Sequence, residues 1–152
     1  MDAIYTLNKR SGSNSLPWPV DSELLQQLKK DYPNYRFIHG KKFAFRPPRT
    51  IILGAPEPFY GLLTLHELSH AILGHRTFSL DVERLKMESE AWEKARELAL
   101  RYDIKIDDDF IQDKLNTYRD WLHLKSKCKK CGLTCYQTDD GTYHCPRCEN
   151  FV

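Results

Sequence analysis

Leu65-His66-Glu67-Leu68-Ser69-His70-Ala71-Ile72-Leu73 is the stretch on which the reading of this chain turns. It lies in an apolar run that predicts a helix from near Phe59 to Leu73, with Gly74 as its stop. Residues four apart on a helix share a face, so His66 and His70 project their imidazoles the same way. Two neutral imidazoles one turn apart can grip a single Zn²⁺. Glu67 sits beside them, placed to accept a proton from water without itself being a ligand. Burying these three residues among Leu, Ala and Ile would be costly without a metal or partners. The pattern predicts a catalytic zinc centre with Glu67 as its general base.

Such a centre has three protein ligands and one open position. No histidine follows His75 until His123, so a downstream carboxylate is expected. A second long helix fits Asp81 to Tyr102 and offers Glu83, Glu88, Glu90, Glu93 and Glu97; periodicity alone does not choose among them. His75 is about 180° from His66 around a continuous helix, and reads as a helix-end or supporting histidine rather than a ligand. Tyr60, Tyr118, Arg119 and His123 are each able to stabilise an oxyanion. None is assigned that role, because a helix carrying Tyr118, Trp121 and Leu122 reads first as core.

Five cysteines lie at 128, 131, 135, 145 and 148, near the end of the chain. Cys128, Cys131, Cys145 and Cys148 form CxxC-x13-CxxC, the spacing of two knuckles that close a tetrahedral structural zinc site. A segment this short buries too little surface to fold without metal. Residues 125–152 are therefore expected to form a zinc ribbon, with Cys135 as a packing residue. A redox dithiol pair would need a thioredoxin-like context that is absent.

The remaining chain divides into an N-terminal arm, 1–20, that packs through Trp18, and a domain over 21–124. That domain begins with a helix from Asp21 to Tyr32, capped by Asp21 or Ser22. Two strands follow, Phe37–Phe45 and Thr50–Leu53, around the Pro47-Pro48 turn. Its last helix fits Asp107 to Leu124, opened by three aspartates. The expected architecture is α+β: a short, mostly antiparallel sheet, an active-site helix and flanking helices, then the ribbon. The sheet edge near Phe43–Leu53 is a candidate to receive substrate as an added strand.

The pair HELSHAILGH (66–75) and MESEAWEKARELAL (87–100) resembles the ImmA/IrrE family of metallopeptidases. Its members couple an HELxH helix to a later helix reading E-x-x-A-x-x-x-A. The resemblance covers roughly residues 35–123 and implies a zincin-like metallopeptidase core. Glu88, Ala91 and Ala95 fill the places of the second motif, so Glu88 is implied as the third zinc ligand, with Glu90 the alternative. The sequence departs from the family at Trp92, where a small or polar residue is common. The resemblance further implies a regulatory protein substrate, such as a transcriptional repressor.

The expectation is thus a zinc-dependent metalloendopeptidase carrying two zinc ions, one catalytic and one structural. A SprT-like, DNA-associated protease also couples HExxH to a ribbon, but that family supplies a third histidine that is missing here. A non-catalytic zinc-stabilised binding protein would need no Glu67. The net charge of +2 gives no strong pull toward nucleic acid, although Lys125, Lys127, Lys129 and Lys130 leave a contact through the ribbon open. No apolar run approaches the roughly 18–20 residues that cross a bilayer. The N-terminus lacks the apolar core of a secretory signal, so the expected location is cytoplasmic.

Overall fold

A computed structural model describes residues 23–148. The expected arm, its Trp18 contact and the cap at Asp21 or Ser22 lie outside the described residues. Four helices and two small sheets give an α+β architecture: α1 (Glu23–Asp31), β1 (Arg36–His39), β2 (Ala44–Arg46), β3 (Thr50–Leu53), α2 (Tyr60–Ile72), α3 (Asp81–Arg101), α4 (Asp108–Lys125), β4 (Tyr136–Gln137) and β5 (Tyr143–His144). Among the described residues no helix is long and apolar enough to cross a membrane.

The first sheet corrects two expectations. Its order is β1-β3-β2, with β1 parallel and β2 antiparallel to β3, so the sheet is mixed and not mostly antiparallel. The single strand expected over Phe37–Phe45 is split in two. Beyond His39 the chain crosses the end of β3, where the Gly40 N–H donates to the Leu53 carbonyl at 2.9 Å, and returns on the other side as β2. Gly54 makes the crossing possible, since a Cβ there would lie 2.6 Å from the Phe43 ring. β3 is thereby central, with Ile51 and Leu53 fully buried, and β2 becomes the edge strand next to α2.

α2 packs its apolar side onto β3 and α3 through Leu62, Leu65 and Leu68. Ala91, Ala95 and Ala99 of α3 are fully buried, and these small side chains let the helices approach closely. α4 starts where the sequence indicates, with the Asp107 carboxylate accepting the Phe110 N–H at 2.9 Å. Ile111 and Leu115 tie α4 into the same core, and Phe110 stacks on Phe59.

No linker separates the cysteine-rich segment from this core. Ser126 continues from α4 through its N–H to the Leu122 carbonyl, and its own carbonyl accepts the Cys135 N–H at 2.7 Å. The hairpin of β4 and β5 then docks on the start of α3. Buried Asp81 accepts from the Tyr143 hydroxyl at 2.9 Å and from Lys125 Nζ at 2.7 Å, while its N–H donates to Gln137 Oε1 at 2.8 Å. One carboxylate therefore joins α3, the end of α4 and both strands of the hairpin.

Candidate metal centres

The first centre is built from α2 and α3. His66 and His70 are buried on one face of α2, and their Nε2 atoms lie 3.1 Å apart. Glu88 Oε2, from α3, is 3.2 Å from His66 Nε2 and 3.6 Å from His70 Nε2. A tetrahedral ion with bonds of about 2.0–2.1 Å requires donors about 3.3–3.4 Å apart, so this triangle has the size of one face of a zinc coordination sphere. Glu88 Oε2 is also buried and faces both imidazole nitrogens, as suits an atom that would share an ion with them. These three residues could hold a metal ion.

The other four glutamates of α3 have different occupations. Glu83 Oε2 accepts the N–H groups of Ser79 and Leu80 at 2.7 and 2.9 Å, closing the start of the helix. Glu90 faces His75, Glu93 is exposed, and Glu97 pairs with Lys94. Of Glu88 and Glu90, only Glu88 meets both histidines.

His75 reaches the centre because α2 ends in a reversal. Gly74 adopts φ 70°, the His75 N–H donates to the His70 carbonyl at 3.0 Å, and the Gly74 N–H donates to that of Ala71. This glycine-dependent turn swings His75 back, so that its Nδ1 lies 2.9 Å from His70 Nδ1. The tautomers follow from the geometry. If His70 Nε2 is the donor to a metal, its proton sits on Nδ1 and His75 Nδ1 accepts it. The His75 proton is then on Nε2, which faces Glu90 Oε2 at 3.4 Å. A chain from Glu90 through His75 thus orients His70. His66 has no such acceptor among the described residues, but Trp92 stacks against its ring at 3.9 Å. The bulky residue at this position clamps the His66 ring by surface contact.

Burial pushes the His66 imidazole down to about 4, opposed by its hydrogen bond to Glu88, so it is neutral and able to coordinate at neutral pH. Burial raises Glu88, but hydrogen bonds from His66 and His70 outweigh it and hold the carboxyl ionised. Glu67 is pushed up to about 7, chiefly by burial; the His70 charge and the Phe45 backbone N–H pull it back. That N–H belongs to the edge strand β2, and Glu67 shares a cleft wall with Phe45, His66 and His70.

Two clefts, of about 300 and 390 Å³, flank this group and share Phe43, His66, Glu67, Glu88 and Tyr118 in their walls. Of the four residues considered for an oxyanion, only Tyr118 is here; its hydroxyl, raised to about 12 mainly by burial and by Glu88, remains a donor across the neutral range. Tyr60 packs on Phe43, Arg119 bonds to Gln112 and Asn116, and His123 is exposed. Sequence gave no way to single out Tyr118, because its approach to Glu88 depends on how α4 lies across α3.

The second centre gathers Cys128, Cys131, Cys145 and Cys148, all free thiols that could hold a metal ion. Cys131 and Cys145 sulfurs are 3.5 Å apart, near the roughly 3.8 Å edge of a tetrahedron with 2.3 Å bonds. Burial opposes ionisation of Cys145, but the N–H groups of Arg147 and Cys148 and neighbouring thiols bring it down to about 6. Backbone N–H groups of Cys131 and Lys130 likewise lower Cys128. Cys135 is buried beside the four, where burial raises its thiol, as suits a packing residue. The small two-stranded hairpin and this cluster are compatible with a zinc ribbon.

No family model, curated protein or solved structure matches this chain.

Proposed function

We propose that the chain is a zinc-dependent metalloendopeptidase with a zincin-like core related to the ImmA/IrrE family. The observation that carries this reading is the convergence of a His66–His70–Glu88 triangle, a buried Glu67 and a sheet edge on one open groove. A structural site needs no general base and would close its fourth position; this one has both a base and an opening. Zinc bound there would supply Lewis acidity, polarising a carbonyl and acidifying water. Glu67 accepts the proton of the attacking water and returns it to the leaving amine. The Tyr118 hydroxyl donates to the developing oxyanion. An extended substrate pairs with the free edge of β2, whose Phe45 N–H already anchors Glu67. His75, turned toward Glu90, leaves no third histidine for the SprT-like alternative.

Replacing Glu67 by Gln tests the reading. Zinc content should stay at the wild-type value while hydrolysis of any protein substrate falls by at least about a hundredfold, as for loss of a general base. Undiminished hydrolysis with zinc bound would refute the mechanism.

A further inference from the structure

Arg84 stands one helical turn before Glu88 on α3, about 6 Å along the axis, in the wall of the larger of the two clefts. Three aromatic rings enclose it: its guanidinium carbon lies 5.7 Å from the Phe78 centroid, 5.3 Å from Tyr118 and 5.1 Å from Trp121. Ring contacts of this kind hold a guanidinium without spending its N–H donors on hydrogen bonds. Among the described residues no carboxylate pairs with Arg84 and no hydrogen bond engages it. A half-buried guanidinium with no carboxylate partner, in the wall of the cleft, is placed to receive an anionic group. The fork geometry of those donors matches a carboxylate. Tyr118 links the two regions, since the ring that packs on Arg84 carries the hydroxyl that meets Glu88.

We propose that Arg84 is a specificity-determining residue that binds a substrate carboxylate one residue from the metal centre. The substrate class is then peptides with an acidic group beside the bond that is cut. The class follows from the metalloendopeptidase reading, whereas the carboxylate subsite itself does not require turnover. The carboxylate could be an Asp or Glu side chain or the free C-terminus of the substrate, and the two are separable by experiment.

The probes are four malonyl hydroxamates, of Glu amide, Gln amide, Ala amide and free Ala, titrated calorimetrically into the zinc-loaded full-length protein. The Glu amide probe should bind roughly tenfold or more tightly than the Gln amide, the scale of one bidentate charge-assisted pair that solvent partly screens. Tighter binding of free Ala over its amide would assign the subsite to a chain terminus and replace the endopeptidase reading by a carboxypeptidase one. Either preference should vanish in R84M and survive in part in R84K, with zinc content unchanged. Equal affinities across both pairs in the wild type would overturn the proposal, as would a preference that persists in R84M. If the carboxylate preference holds but no peptide is hydrolysed, the subsite stands and the endopeptidase reading falls. If no hydroxamate binds, both fall.

Discussion

Replacing His75 by Ala removes the acceptor that holds the His70 ring, and its consequence can be worked from the contacts. In the wild type, His70 Nδ1 faces His75 Nδ1 at 2.9 Å, and the His75 side chain is only 10% exposed. The substitution strips His70 of its partner and leaves a polar N–H at the edge of a buried site. An orphaned buried donor costs about 1–3 kcal/mol. Water entering the vacated space recovers part of that, so the expected loss is about 1–2 kcal/mol of zinc binding, or roughly 5- to 30-fold in affinity. Glu90→Gln acts one step further out, on a side chain 46% exposed that also pairs with Lys86, and should weaken binding about threefold or less. Competition against a chelator of known affinity reads both values, and the four-cysteine site serves as an internal control. An unchanged affinity in His75→Ala would refute the orienting role. A parallel loss at both sites would show that the substitution had damaged the fold instead.

Trp92→Ala should destabilise the protein by about 3–5 kcal/mol in chemical denaturation, because the ring is 2% exposed and braces both His66 and Phe110; a loss below about 1 kcal/mol would contradict the packing described. Asp81→Ala leaves the Tyr143 hydroxyl and Gln137 without their acceptor, a cost of about 1–3 kcal/mol, to which the half-exposed Lys125 adds little. Amide exchange in the first turns of α3 should then rise and the four-cysteine site should lose metal faster; unaltered exchange and metal release would show that Asp81 is not the clamp between them.

Much of this was legible from local pattern. The helix around His66 announced itself through its apolar run, and histidines four apart must share a face whatever the rest of the chain does. The two CxxC pairs were equally local. The third member of the first centre was not: five glutamates lie on α3, and only the packing of α2 against buried Ala91 and Ala95 brings Glu88 to the histidines. The motif resemblance had pointed to that residue before geometry did. His75 reads as a helix-end or supporting histidine, and the structure shows what it supports: Gly74 reverses the chain and returns the ring to His70. The sheet was misjudged. Gly40 marks a break within Phe37–Phe45, but the crossing over β3 depends on contacts with Ile52, Leu53 and Gly54 that come later in the chain.

The two separate ligand sets, His66–His70–Glu88 and the four cysteines, should each hold one zinc ion. Elemental analysis of the full-length protein, with His66→Ala and Cys145→Ser variants alongside, tests it most directly. The wild type should carry two zinc ions per chain, with one ion lost and the cysteine-bound ion retained in His66→Ala. Cys145→Ser should lose the cysteine-bound ion, and an undiminished zinc content would remove that site. One zinc ion in the wild type, unchanged in His66→Ala, would contradict the claim and remove the proposed catalytic centre.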